Sequence, residues 1–163
     1  MMSRKPPKQR ARPRHHASQL ETALGRIPGA RAATVAALGV HKLQTNFTFI
    51  FPSNDQYIGA SMRLSHQPYE APLLKDMLSF IRPGDHAVEV GANLGTFTCY
   101  FAAAVGRTGS LIAFEPQAKM ISYVHANLVL NAVNSGQVEI IHGGVGHAPM
   151  VRPAATQSML SSV

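Results

Sequence analysis

Between His86 and Ile141 the chain alternates short apolar runs with longer ones, and this alternation constrains its fold more than any other feature. His86–Val90 (HAVEV) has the length of a strand. Residues 91–95 (GANLG) form a tight turn, and Thr96–Val105 (TFTCYFAAAV) is a compact apolar helix ended by Gly106. Residues 110–114 (SLIAF) are a second strand, closed by Glu115-Pro116. Residues 117–131 predict a second helix, with Met120, Ile121, Val124, Leu128 and Val129 three and four apart. Residues 137–141 (QVEII) are a third strand. Strand, helix, strand, helix, strand predicts a parallel sheet, because parallel neighbours need a long return path and a helix supplies it.

The upstream half is less regular. Residues 19–43 are rich in Ala and Leu and read as helix, broken into short pieces by Gly25, Pro28-Gly29 and Gly39. NFTFIF over 46–51 and QYIGASM over 56–62 flank the turn cluster Pro52-Ser53-Asn54-Asp55, which predicts a hairpin. Residues 68–81 predict a helix with Leu73, Leu74, Met77, Leu78 and Ile81 on one face. Leu73, Met77 and Phe80 are expected in the core. After His142 the chain turns to Gly, Pro, Ala and Ser. The domain scheme is therefore a disordered basic tail over 1–18, a helical segment and hairpin over 19–66, a half-domain over 67–147 and a flexible tail over 148–163.

Charge and cysteine content exclude several classes. The formal charge of +7 is concentrated in residues 1–18, which hold Arg4, Lys5, Lys8, Arg10, Arg12 and Arg14 and no acid. The remainder carries nine basic against eight acidic residues, so the folded body offers no electrostatic case for a nucleic-acid groove. The tail alone could meet RNA or an acidic membrane surface. No apolar stretch is long enough to span a bilayer. With Cys99 the single cysteine, neither an internal disulfide nor a thiolate-rich zinc site can form. A lone cysteine fits a reducing compartment, and a cytoplasmic location is expected. No His, Cys and Asp cluster has metal-ligand spacing, and Cys99 reads as a small packed side chain rather than a nucleophile.

Two features share one edge of the sheet. Ligands of open parallel sheets bind beyond the carboxyl ends of the strands. There lies Glu89-Val90-Gly91-Ala92-Asn93-Leu94-Gly95, where glycine permits close approach and positive φ and Asn93 tolerates the left-handed region and can cap the following helix. Glu115 ends the next strand, 24 residues after Gly91, near the roughly 20 residues that separate a glycine turn from a ribose-binding acid. Turn and acid together describe a pocket for a nucleoside-bearing cofactor. A dinucleotide fingerprint would place glycine where Asn93 stands, and no phosphate-binding G-x-x-x-x-G-K-[ST] occurs. Glu89 would repel a pyrophosphate and suits a cationic ligand, and S-adenosylmethionine carries a sulfonium and an ammonium.

The run Arg82-Pro83-Gly84-Asp85, then Glu89 through Thr98 (EVGANLGTFT), then Ala113-Phe114-Glu115-Pro116, then Asn127 and Asn131, resembles FkbM-type S-adenosylmethionine-dependent methyltransferases over about residues 69–146. The resemblance implies a Rossmann-like class I methyltransferase fold, an α/β/α sandwich around a parallel sheet, here partial and without its C-terminal strands. It implies methyl transfer to an oxygen, usually a hydroxyl of a sugar or secondary metabolite. It places Glu89, Gly91, Ala92, Asn93 and Gly95 at the methionine side of the cofactor, Glu115 with Pro116 at the ribose, and, more loosely, Tyr69 and Glu70 at the cofactor mouth. It names no catalytic base. His142 and His147, beside a glycine-rich turn, could touch adenine or act as a base. The strand at His86–Val90 would be central in that fold, and its missing neighbour suggests a truncated product. The alternative is a non-catalytic cofactor-binding or interaction fragment that pairs through an open sheet edge.

Overall fold

The computed structural model describes residues 13–28, 38–133 and 135–147. In chain order the elements are α1 (Pro13–Leu24), β1 (Leu38–Lys42), β2 (Thr48–Pro52), α2 (Ile58–Ser65), α3 (Ala71–Leu78), β3 (His86–Val90), α4 (Thr96–Val105), β4 (Ser110–Glu115), α5 (Ala118–Leu130) and β5 (Val138–His142). A 3-10 turn at Ser135–Gln137 leads into β5. Strands β3, β4 and β5 form a parallel sheet in that order, with Val88 opposite Ile112 and Ile112 opposite Glu139. Helices α4 and α5 make the two crossovers. This is the parallel α/β sheet that the strand and helix lengths anticipate and the partial Rossmann-like arrangement that the resemblance implies, with β3 at its edge among the described residues.

Upstream, the structure corrects the hairpin. Its strands are β1 and β2, antiparallel with Val40 opposite Ile50, and the stretch after the Pro52–Asp55 turn is the helix α2. Gly39 belongs to a strand and does not break a helix. Both corrections share a physical cause, the ring of Phe51. A Cβ on Gly39 or on Gly59 would overlap that ring, so one glycine lets β1 pass and the other lets α2 lie across it. The Arg63 guanidinium of α2 sits 5.2 Å from the ring centroid, a cation–π contact. In α2 the buried residues are Gly59 and Met62, three apart, which is helical spacing hidden beneath strand-like composition.

Strand β2 is buried at every residue from Thr48 to Phe51. One of its edges pairs with β1. The other is paired by two side chains of α5. The Asn131 carboxamide accepts the Thr48 N–H at 2.7 Å and donates to the Thr48 carbonyl at 2.8 Å. Asn127 accepts the Ile50 N–H at 2.7 Å and donates to the Ile50 carbonyl at 3.0 Å. Four residues of helix rise about 6 Å and two residues of strand about 6.6 Å. An i, i+4 pair of carboxamides therefore stands in for a neighbouring strand.

The core runs through both sheets. It includes Phe49, Ile50 and Phe51 of β2, Leu111 and Ala113 of β4 and Val124 of α5, all at 0% exposure. Helix α3 starts later than the periodicity suggests, at Ala71, after Glu70 in a left-handed conformation with φ 49°. It rests on its Leu74 side, with Leu78 and Ile81 packing against the core. Leu73, Met77 and Phe80 are 46%, 40% and 83% exposed, which corrects the expectation that they are core. Helical spacing marks an apolar stripe but not what lies over it. Helix α1 takes in residues 13–18, which the sequence reading assigned to the tail; residues 1–12 and 148–163 lie outside the described residues. Among the described residues no helix is long and apolar enough to cross a membrane.

Candidate functional site

The loop between β3 and α4 is built to fold back on β4. Gly91 has φ 88°, Asn93 φ 50° and Gly95 φ 79°, and these three left-handed residues turn the chain tightly enough for its amides to face the neighbouring strand. The N–H groups of Gly91 and Ala92 both donate to the Phe114 carbonyl, at 2.9 and 3.0 Å, and Gly95 N–H donates to the Ala92 carbonyl at 2.8 Å. Ala92 and Leu94 are buried at 4% and 1% exposure.

Glu115 ends β4 at 3% exposure. Its Oε2 accepts the Asn93 N–H at 2.8 Å and its Oε1 accepts the Gln117 N–H at 2.8 Å. The glycine turn and the distant acid thus meet. Each carboxylate oxygen takes one backbone N–H and keeps a further lone pair. Pro116 carries its carbonyl 3.0 Å from His142 Nε2 at the end of β5, and Gly143 N–H donates to the Glu115 carbonyl at 3.0 Å. His142 therefore borders this region, whereas His147 is exposed.

The two glycines differ in what surrounds them. A Cβ added to Gly95 would stand 3.0 Å from the Val124 Cα of α5, so Gly95 is where loop and helix touch. A Cβ added to Gly91 would meet nothing within 4 Å. The space beside Gly91 is open, which is what a loop that receives a ligand requires. Asn93 holds the left-handed conformation anticipated for it but does not cap the helix: the N-cap of α4 is Gly95, and no side chain caps it.

Glu89 sits one strand residue before the turn, at 8% exposure. Burial pushes its pKa up to about 7; the Thr98 hydroxyl opposes this in part, and the Glu115 charge adds to it. Its Oε2 and the Thr96 hydroxyl are buried without hydrogen-bond partners. Those orphaned atoms are polar capacity that the ligand-free chain does not use. Cys99, fully buried, has its thiol pushed far up by that burial, and it is no nucleophile. Among the described residues no group of three His, Cys, Asp or Glu side chains could hold a metal ion.

Asn127, one of the residues that carry the family resemblance, has no role assigned from the sequence, and the structure supplies one. Its Nδ2 donates to the Leu94 carbonyl at 2.7 Å while the same carboxamide grips Ile50, so it ties the turn to β2. The signal was present in the spacing of Asn127 and Asn131, polar residues on the buried side of an apolar helix. Tyr69 packs against the core, and the exposed Glu70 opens α3.

Several solved structures are similar to this chain. A SAM-dependent O-methyltransferase from Thermotoga maritima shares 22% identity over 59% of this chain and 36% of that one, with a TM-score of 0.42. A SAM-dependent methyltransferase from Aquifex aeolicus shares 19% identity over 52% of this chain and 46% of that one, also at 0.42. A methyltransferase from Geobacter sulfurreducens shares 19% identity over 58% of this chain and 52% of that one, again at 0.42. The chain spans between 35% and 55% of the length of the structures it matches. No curated protein matches it. The model of the protein-L-isoaspartate (D-aspartate) O-methyltransferase family matches residues 41–151, more than half of the chain and all of the parallel sheet. The chain therefore belongs to the protein-L-isoaspartate (D-aspartate) O-methyltransferase family, and it is of S-adenosylmethionine-dependent methyltransferase lineage with a partial Rossmann-like fold.

Proposed function

We propose that this chain binds S-adenosylmethionine at the turn between β3 and α4 and serves methyl transfer to an oxygen acceptor. The observation that carries this reading is the hydrogen bond from Asn93 N–H to the Glu115 carboxylate, which brings the glycine turn and the acid to one place. The free lone pairs of Glu115 suit a ribose diol, and Pro116 follows it in the chain. The open space at Gly91 and the backbone of Ala92, Asn93 and Gly95 suit the methionine portion. The buried carboxyl of Glu89 suits a cationic centre. When bound, the cofactor supplies an electrophilic methyl group on a sulfonium leaving group. The chain's own residues bind it, orient it and exclude water, which is where the protein contributes most to such a displacement.

The FkbM-type run from Glu89 to Thr98 with Phe114-Glu115-Pro116 supports a hydroxyl acceptor, on a sugar or a secondary metabolite. The family match supports a second acceptor class, a carboxylate such as that of an isoaspartyl residue. The two differ in need. A hydroxyl must lose its proton to a base during transfer, whereas a carboxylate is already ionised at neutral pH.

Calorimetric titration of the full chain with S-adenosylmethionine and with S-adenosylhomocysteine tests the reading. Saturable binding of both supports it; a folded chain that binds neither overturns it. The alternative, a non-catalytic module that pairs through its open edge, is favoured by Val88 and Val90 of β3, 65% and 61% exposed. It requires a mass that rises with concentration in sedimentation equilibrium and that falls back to the monomer in Val88→Lys.

A further inference from the structure

Glu89 is an anomaly within its own strand. It points to the covered side of β3, where α4 packs, and only 8% of it is exposed. Buried carboxylates are ordinarily held by cations or by several N–H donors, because an ionised oxygen without a partner costs several kcal/mol in a protein interior. Glu115 meets that requirement with two backbone N–H groups. Glu89 does not. Its Oε2 accepts nothing, and the Thr96 hydroxyl, from the first turn of α4, is equally without a partner.

The groups acting on Glu89 are few. From α4 come the Thr98 hydroxyl and the Cys99 thiol, the latter kept protonated by full burial. From the end of β4 comes the Glu115 carboxylate, whose charge is of like sign. Among the described residues no basic side chain is among the groups that act on it. Without an incoming positive charge, a carboxyl in this setting keeps its proton up to about pH 7.

We infer that Glu89 makes cofactor binding proton-linked: the cationic centre of the ligand enters as the Glu89 carboxyl releases one proton to solvent. This rests on the cofactor reading proposed above. The step balances in atoms and charge. The O–H bond of Glu89 breaks, the proton leaves to water, and the carboxylate left behind is neutralised by the incoming ammonium or sulfonium. The Glu89 position itself carries no net charge before or after, so the loop admits a cation without stranding an ionised Glu89 carboxylate in the empty chain. Burial sets the working range near neutral pH.

The test is calorimetric titration of the full chain and of Glu89→Gln from pH 6 to pH 8, in two buffers of different ionisation heat. The α-ammonium of the ligand itself titrates near pH 8, so the variant serves as the reference. The wild-type Kd, divided by that of Glu89→Gln at each pH, is expected to fall about tenfold from pH 6 to pH 8. Close to one proton is expected to leave per ligand bound at pH 6, and few at pH 8. The His142→Gln variant is expected to keep the wild-type slope. A slope with both S-adenosylmethionine and S-adenosylhomocysteine assigns the ammonium as the partner of Glu89. A slope with S-adenosylmethionine alone assigns the sulfonium. A ratio that stays flat with pH for both ligands overturns the inference and leaves the cofactor reading intact. The absence of binding by either protein at every pH overturns both.

Discussion

Two glycines four residues apart, Gly91 and Gly95, do different work in the turn after β3, and substitution separates them. Gly95→Ala forces a left-handed residue to carry a Cβ 3.0 Å from the Val124 Cα, which is backbone and cannot swing aside. It is expected to cost about 2–3 kcal/mol in urea unfolding, from strain and overpacking together. Gly91→Ala bears the strain of φ 88° without a clash, so it is expected to cost about 1 kcal/mol. Gly91→Val is expected to leave a folded chain that binds S-adenosylmethionine poorly, because the branched side chain fills space that the loop leaves open. Glu89 yields a third residue-scale prediction. Burial raises its folded pKa to about 7, from the ordinary 4.5 of a glutamate, so the folded state binds its proton more tightly than the unfolded state. The stability this confers is full below pH 4.5 and is lost as pH rises through 7. Such a shift amounts to about 3 kcal/mol. In the ligand-free protein, Glu89→Gln is therefore expected to raise the melting temperature at pH 8 and to leave it nearly unchanged at pH 4.5. A melting difference equal at both pH values would remove Glu89 as the titrating group.

At the scale of elements, the decisive junction is that of β2 with α5. A fully buried strand must satisfy both rows of its backbone groups, since each one left unpaired costs about 1–3 kcal/mol. Here β1 serves one row, and the carboxamides of Asn127 and Asn131 serve the other. Asn127→Leu keeps roughly the volume but strands the N–H and C=O of Ile50 and the carbonyl of Leu94. It is expected to destabilise the chain by about 3 kcal/mol or more in urea unfolding. Because Leu94 belongs to the turn, the loss is expected to weaken S-adenosylmethionine binding as well, even under conditions where the variant remains folded. An Asn127→Leu chain of wild-type stability would show that the brace contributes nothing. The tight fit of Phe51 between Gly39 and Gly59 is the other reason this hairpin has its particular partners.

Across the whole molecule, the parallel sheet is graded in protection. β4 lies between two strands, with Leu111 and Ala113 at 0% exposure. Among the described residues β3 has a neighbour on one side only, and it shows Val88 and Val90 to solvent. Amide hydrogen exchange is expected to be slowest in β4 and clearly faster in β3, since opening at an edge breaks one row of bonds rather than two. Equal protection in β3 and β4 would mean that β3 acquires a neighbour in solution.

Much of this organisation was readable beforehand, for a physical reason that differs from part to part. Strand, turn and helix from His86 to Val105 follow from local periods and breakers, each settled within a few residues. The meeting of Gly91 and its neighbours with Glu115 follows from the size of one strand–helix–strand unit, which leaves little freedom in where its ends arrive. What could not be read was the choice of partners between segments distant in the chain. β2 takes β1 rather than residues 56–62 because Gly39 and Gly59 accommodate one aromatic ring, and that fit exists only in three dimensions. Asn127 and Asn131 stand out in the family resemblance, but their role as a brace appears only when the pitch of α5 meets the spacing of β2. Leu73, Met77 and Phe80 have core composition and stand in solvent. Glu89 was visible as an acid, but its missing partners were not. Local conformational preference is encoded residue by residue, whereas pairing, burial and the protonation state that burial imposes are properties of surfaces brought together, and they arise when the chain closes on itself.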